Sequence, residues 1–552
     1  MRKALPIGIS DFKDIMNGNY YFVDKSFFIK DLIDTQPKVT LYARPRRFGK
    51  TMILSMIRYF FDNQNAVESK KNFDNLAIAH AGEKYLNEQG KYPVIFLTLK
   101  DVKKNNWQDT ENLLHMLISR EFSRFDYLLN GDKLNALDKT IFESILMGKA
   151  DKNTWETSLS TLTAMLYKHH QVKPILLIDE YDVPIQSGYI NEFYEEVIGF
   201  MRVWLTGGLK DNSNLHFALL TGILRVAKES IFSGLNNIKV DTILSKEYAS
   251  VFGFTQDEVE QLAKDYQVED KLPELKAWYD GYNFGGREIY NAWSVINYFD
   301  QECTPKAYWL HTSANEIIRQ LLRLADSDIK EKLQKLLRGE KIYSYIEENI
   351  VYDDINRSKG MLFSMLLMTG YLKIVGVKDA DMGVYDLQIP NQEVSIVYRR
   401  EILNQFAEEI EEEDLRYLLE DIVSGNAVLL EEKLQKILLN LVSFYDTKES
   451  FYHGLMLGLL AVLVRDYDIQ SNRESGYGRF DLAMFPKNKT LPGVIMEFKV
   501  ASNIDDLNQS AKAALNQIAE KAYDVELQKQ GIDTIYHYGI AFCQKDIRVV
   551  HE

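Results

Sequence analysis

Residues 39–61 read VTLYARPRRFGKTMILSMIRYFF, and the fold class follows from how this stretch divides. Val39-Thr40-Leu41-Tyr42 is β-prone and stops at Ala43-Arg44-Pro45, where the proline cannot extend a ladder. From Thr51 the period changes, and Met52, Ile53, Met56, Ile57, Phe60 and Phe61 fall on one face of a helix. Between strand and helix lies Arg44-Pro45-Arg46-Arg47-Phe48-Gly49-Lys50-Thr51. A loop in that position aims backbone N–H groups at whatever anion meets the helix N-terminus.

Strand, loop and helix in this order are the context that a Walker A motif requires. Lys50 would reach the β- and γ-phosphates of ATP, the Thr51 hydroxyl would ligate magnesium, and Gly49 lets the backbone approach closely. Arg46, Arg47 and Phe48 complete the candidate nucleotide-binding stretch. One position departs from the motif, because its first glycine, six residues before the lysine, is Arg44. The three arginines read either as phosphate contacts or as solvated side chains of a basic loop.

A second motif supports the first. Asp179-Glu180 closes the apolar strand PILLI at 174–178. A carboxylate at the C-terminal end of such a strand sits at the crevice where magnesium is held in these folds. Asp179 would bind the metal, and Glu180 would polarise the water that attacks the γ-phosphate. Thr221 ends the next strand, HFALL at 216–220, and would hydrogen-bond that water or the phosphate. Arg225 would reach the γ-phosphate or a neighbouring subunit; a capping threonine and a surface arginine explain the pair equally well.

With a strand at 94–99 (VIFLTL), these strands are separated by long helical stretches, which predicts a parallel sheet with helices on both faces. From 251 to 440 the pattern is mainly helical, punctuated by WYDGYNFGG (278–286), NAWSVINYF (291–299) and YWLHTS (308–313), with an acidic run at 408–414. This part reads as a lid or winged-helix-like module and connector. Strand signals return at 480–485, 494–500 and 536–542, around a helix whose Leu507, Ala511, Ala514, Leu515, Ile518 and Ala522 share a face. The expectation is an α/β multi-domain chain, divided at 1–250, 251–440 and 441–552.

At 552 residues the chain exceeds one ordinary core. Its 46% apolar and 26% charged residues are those of a soluble globular protein. Only Cys303 and Cys543 are present, which excludes a disulfide framework or a cysteine-rich zinc site and suits a reducing cytoplasm. No run of about 18 apolar residues reads as a membrane span, and the N-terminus lacks the apolar stretch of a secretory signal. A net charge of −15 argues against a general coat for nucleic acid, although metal-dependent nucleases need carboxylates.

ARPRRFGKT (43–51), LLIDEYDVPI (176–185), LLTGILRVAKESIFSGLNN (219–237) and WYDGYNF (278–284), in this order, resemble the AAA-ATPase-like proteins abundant in gut and other anaerobic bacteria. The likeness runs from GISDFKDIMNGNYYFVDKS (8–26) to EFK (497–499). It implies a C-terminal nuclease-like domain of the PD-(D/E)XK superfamily, and a loop that carries arginines where the first glycine would stand. It implies no particular cellular role.

The residues at 478–499 make their own case. Asp481 opens a strand after a glycine-rich turn, and sixteen residues later comes Glu497-Phe498-Lys499. Residues i and i+2 of a strand face one side, so Glu497 and Lys499 project together while Met496 and Phe498 face away. If the strands pair, Asp481 and Glu497 would hold magnesium, and Lys499 would orient the water attacking a phosphodiester of DNA or RNA. Glu474, Arg479, Gln517 and His453 are further candidates near that site. The competing reading is a nucleotide-dependent switch whose C-terminal domain binds a partner and cuts nothing. P-loop ATPases of this broad kind often assemble, so a homo-oligomer is one expected partner arrangement.

Overall fold

A computed structural model describes residues 2–226, 238–309, 339–350, 359–398, 412–441, 449–460, 466–475 and 478–552, with Ile329, Lys332, Leu333, Lys335 and Leu336. These fall into two compact units, one running to Ser395 and the other covering Ile396–Glu552. The stretch 227–237 of the third quoted motif, 310–313 of YWLHTS and 408–411 of the acidic run lie outside the described residues.

The first unit is built on β1 (Val39–Ala43), β2 (Val94–Thr98), β3 (Ile175–Asp179), β4 (Ala218–Gly222) and, after the two-residue β5 (Arg225–Val226), β6 (Ile238–Asp241). The order in space is β2-β3-β4-β1-β6, with every pairing parallel. β1, β3 and β4 are buried along their whole length, as strands covered on both faces must be. β4 lies between β1 and β3, in a register that sets Thr221 beside Tyr42 and Leu220 beside Ile178. The loop after β1 and the acids ending β3 therefore open at the same sheet edge, with Thr221 between them.

The helix Lys50–Phe61 buries Ile53, Met56, Ile57, Phe60 and Phe61 of the face its period predicts, with Met52 half-buried. Leu54 and Ser55 are buried as well. The amino-terminal segment explains this, because Phe12 N donates to Ser55 Oγ at 2.9 Å across the helix's outer side.

The described residues of the middle of the chain as far as Ser395 pack in the same unit, and those from Ile396 on belong to the second. Helices Gln256–Tyr266, Leu272–Tyr279 and Ala292–Asp300 enclose Val259, Leu262, Leu275, Tyr279, Tyr290 and Tyr298, so aromatics of the WYDGYNFGG and NAWSVINYF stretches form a local core. The region also holds a hairpin of β7 (Tyr282–Phe284) and β8 (Arg287–Ile289). After these come β9 (Ile342–Tyr345), β10 (Asn349–Ile350), β11 (Lys373–Asp379) and β12 (Val384–Gln388). β11, β12 and β9 form an antiparallel sheet, and β10 pairs with β5. The mainly helical reading of this region missed these strands; β11 reads KIVGVKD, without the strict apolar–polar alternation that marks a half-buried strand.

The second unit carries β13 (Tyr467–Ser475), β14 (Gly478–Pro486), β15 (Gly493–Val500), β16 (Ile535–Cys543) and β17 (Asp546–His551), adjacent in that order. Only β15 and β16 run parallel. One face of the sheet packs Met496, Phe498 and Tyr538 against Leu418, Leu434 and Met456 of the helices Glu412–Ser424, Ala427–Leu441 and Glu449–Leu460. The other face packs Ile495 against Ile518 of the helix Leu507–Lys521. Gly539 makes that approach possible, since a Cβ there would lie 2.2 Å from the Ala511 carbonyl oxygen.

Candidate functional site

In the first unit the candidate site is centred on Asp179, whose side chain is fully buried at the end of β3. Its Oδ2 accepts from Thr51 Oγ1 at 2.7 Å and from Thr98 Oγ1 at 3.3 Å, and its Oδ1 accepts from Thr221 Oγ1 at 2.6 Å. Two strands, β2 and β4, and the start of one helix thus supply hydroxyls to one carboxylate on β3. The Thr221 hydroxyl also accepts from Glu180 N at 3.3 Å, which ties the second acid to the same point. Glu180 adopts a left-handed backbone, φ 53°, which turns its side chain out of the strand's alternation. Burial pushes the Glu180 carboxyl above its ordinary range, opposed by the charge of Lys50.

Gly49 caps the helix Lys50–Phe61 with φ 82°, a conformation that glycine adopts without strain. The Lys50 ammonium is buried and donates to Arg44 O at 3.0 Å and Pro45 O at 2.8 Å, curled inside the loop. Burial lowers its pKa, against the carboxylates of Glu180, Asp179 and Asp182.

The three arginines have separate positions, and Arg44 fits neither alternative read from the sequence. Its guanidinium is fully buried, paired with the Asp241 carboxylate on β6 and donating to Asp241 O at 2.8 Å. It is a structural cation joining adjacent strands, and its length is used inward. Arg46 is buried and donates to Gln186 Oε1 at 3.2 Å. Arg47 leaves the loop on the other side, with its guanidinium 4.4 Å from the centre of the Trp293 ring. Phe48 is buried against the rings of Tyr282 and Phe284, at 4.9 and 5.1 Å, so it fastens the loop to the β7–β8 hairpin. Arg225 starts β5, whose backbone pairs with β10.

Sequence reasoning passed over Thr98 and Asp182. Thr98 was marked only by ending a strand, and the pairing Thr98↔Asp179 gives it meaning. Asp182 stands in the quoted motif; its Oδ2 accepts from Ile223 N at 2.7 Å and Leu224 N at 3.1 Å, fixing the turn that follows Thr221. A cavity of about 310 Å³ adjoins the loop, lined by Ile9, Phe22, Phe254 and Ile296 as well as Thr51 and Glu180. Mostly apolar walls with a few polar groups at hand are the usual make-up of a small-molecule site.

In the second unit Asp481 and Glu497 come together as the spacing predicts. The β14–β15 ladder ends at Leu482↔Met496. One step beyond it Phe498 N donates to Asp481 Oδ2 at 2.8 Å, and Asp481 N donates to Glu497 Oε2 at 3.3 Å. Side chains here replace the ladder bonds, so the strands part at the two acids. Gln517, on the helix Leu507–Lys521, accepts from Lys499 Nζ at 2.8 Å and donates to Glu497 Oε1. His453 Nε2 lies 2.8 Å from Asp481 O. Burial raises the Asp481 carboxyl, while the Phe498 N–H and the charges of His453 and Lys499 pull it down. Glu474 and Arg479 face each other in the β13–β14 register, and their side chains lie outside the described residues.

Both sites offer oxygen donors suited to a hard cation. Among the described residues no three His, Cys, Asp or Glu side chains gather to form a metal cage. No helix among the described residues is long and apolar enough to cross a membrane.

A parallel sheet that brings a GKT loop and an Asp-Glu strand end to one edge, followed by a mixed sheet carrying D…ExK, defines a class of protein. Residues 6–232 match the model of the AAA-ATPase-like family, described as predicted AAA-ATPases, and residues 447–552 match that of the PD-(D/E)XK nuclease superfamily. The chain thus joins an AAA-ATPase-like domain to a PD-(D/E)XK nuclease-superfamily domain. A protein of Azotobacter chroococcum mcd 1, described as an uncharacterized protein in the vnfD 5'region, is 26% identical over 571 residues, spanning 100% of this chain and 98% of that protein.

Proposed function

We propose that this protein binds and hydrolyses ATP with magnesium in its first unit, and that nucleotide controls a magnesium-dependent nuclease in its second. The observation that carries the first half is the convergence of Thr51, Thr98 and Thr221 on Asp179, with Glu180 tied to Thr221. Thr51 and Asp179 would hold the cation at the loop, and Asp481 and Glu497 would hold it at the nuclease site. Magnesium, when bound, supplies positive charge against phosphate oxygens and lowers the pKa of coordinated water.

The chain's own groups do the rest. Lys50 leaves the loop carbonyls for the β- and γ-phosphates, and Arg46, on the side of Gln186, adds a second positive charge. Glu180 takes the proton of the attacking water, and a carboxylate made more basic by burial is suited to that work. The apolar cavity would take the adenine. At the second site Lys499, steadied by Gln517, orients the water that opens the phosphodiester. With both cysteines free, the protein would work in a reducing cytoplasm, on DNA or RNA, alone or as a homo-oligomer.

The experiment is magnesium-dependent cleavage of labelled DNA and RNA panels, with and without ATP, beside Lys499→Ala. Cleavage that needs Lys499 and responds to ATP is the expected result. No cleavage on any substrate, with ATP turnover intact, would replace this reading with the partner-binding switch.

A further inference from the structure

The outward side of the 44–51 loop is held by one peptide bond of the middle region. Arg47 has a left-handed backbone, φ 68°, which for a residue with a Cβ must be maintained by its surroundings. Its carbonyl accepts from Trp293 N at 3.4 Å, and its Nη1 donates to Tyr308 O at 3.2 Å. Trp293 Nε1 donates to the same Tyr308 carbonyl at 3.3 Å. The N–H of that very peptide, on Trp309, donates to Glu393 Oε1 at 2.8 Å. One peptide plane therefore has the loop's arginine on its oxygen and a glutamate on its nitrogen.

Glu393 is a costly residue to place there. Its side chain is fully buried, and its Oε2 has no hydrogen-bond partner among the described residues. Burying a carboxyl is costly, and the groups that offset the cost here are the Trp309 and Tyr308 backbone, the Ser294 hydroxyl and the charge of Arg47. The helix over 392–398 that carries Glu393 is pinned to the rest of the unit just before it. Asn391 donates to Asp280 O at 2.8 Å and caps the helix through Val394 N at 3.0 Å. Within that helix, at Ile396, the chain passes into the second compact unit.

We propose that Glu393 is a positioning residue of the nucleotide site, holding the Tyr308–Trp309 peptide that anchors Arg47, and that the helix over 392–398 senses whether the loop is occupied. Arg47 is then an anchor of the loop, turned toward Tyr308 and Trp293. The inference rests on reading the loop as an ATP site and adds the route by which occupancy reaches the connection between the units. Phosphate drawn into the loop moves Arg47, the shared peptide moves with it, and Glu393 and its helix follow.

The test uses the full chain, titrating ATP with magnesium by calorimetry and following amide hydrogen exchange over 391–398. Lys50→Ala abolishes binding if the loop is the ATP site. Glu393→Gln keeps the Oε1 acceptor and holds affinity within about threefold, whereas Glu393→Ala weakens it about 10- to 100-fold, the usual scale for a supporting residue. Arg47→Ala combined with Glu393→Ala loses no more than the larger single loss, because both act through one peptide. ATP slows exchange over 391–398 in the wild type and has no such effect in Arg47→Ala, a comparison that needs no Glu393 variant to fold. Wild-type affinity in Glu393→Ala, losses that multiply in the double variant, or exchange indifferent to ATP each overturn the inference while the ATP site stands. Absence of ATP binding in the wild type overturns the ATP site and the inference with it.

Discussion

Replacing Asp241 by asparagine tests whether Arg44 is structural. The Arg44 and Asp241 side chains are 0% and 2% exposed, so the substitution leaves a guanidinium in the interior with its counter-charge gone. Breaking a buried pair from one side costs about 3–5 kcal/mol. Arg44 retains the carbonyls of Asp241 and Ala43 at 2.8 and 3.0 Å, and its guanidinium lies 5.3 Å from the Phe252 ring, so the lower end, about 3 kcal/mol, is expected. Arg44→Met with Asp241→Asn removes both charges, and the pair's desolvation cost goes with them, so the double variant should recover about half the loss or more. Urea unfolding followed by tryptophan fluorescence measures each difference. Arg44→Met should also keep ATP affinity within about threefold of the wild type, since the Arg44 guanidinium points inward to Asp241 and only its backbone carbonyl, which the variant retains, meets Lys50. A cost below about 1 kcal/mol for Asp241→Asn, or a double variant as unstable as the sum of the singles, refutes the argument. A large loss of ATP affinity in Arg44→Met would return Arg44 to the list of phosphate contacts.

Glu180→Gln keeps shape and removes the base, so ATP turnover should fall about 100-fold or more with affinity nearly unchanged; undiminished turnover would mean that another group activates the water. Gly539→Ala places a Cβ 2.2 Å from Ala511 O and 2.5 Å from Leu515 N, neither of which can yield without moving the helix. The second unit should lose about 3 kcal/mol or more in urea unfolding, and a neutral substitution would show that the helix does not bear on β16. Burial raises Glu393 from 4.5 to about 7, so its native form holds a proton that the unfolded chain releases between those values. Its contribution is complete below pH 4.5 and is lost as pH rises through about 7, a fall of about 3 kcal/mol. Unfolding at pH 5 and pH 8 should show that excess slope in the wild type and not in Glu393→Gln.

The legible parts of the molecule are those whose information is local. The change of period at Thr51 marks the strand–helix join, the i, i+2 alternation puts Glu497 and Lys499 on one face with Phe498 in the core, and the spacing of Leu507, Ala511, Ala514 and Ile518 marks the buried side of the last long helix. The Asp481–Glu497 meeting was conditional on strand pairing, and antiparallel neighbours joined by a short connection meet that condition. Arg44 was opaque because its partner lies on β6, and nothing near it in sequence distinguishes a buried arginine from a solvated one. Thr98 was opaque for the same reason, being one strand end among many until β2 settles beside β3.

The sequence by itself thus determined the strands at 39–42, 94–99, 174–178 and 216–220, the loop from Arg44 to Thr51, the acids at 179 and 180, and the D…ExK set. Each is written in a window of a few residues, where backbone geometry decides which side chains share a face. Only the tertiary structure decided that β4 stands between the loop and the acids, that three threonines share Asp179, that Arg44 turns inward, and that Glu393 reaches the loop through the Tyr308–Trp309 peptide. Those contacts join residues far apart along the chain, and burial and pairing, which no local pattern encodes, choose among the partners available to each.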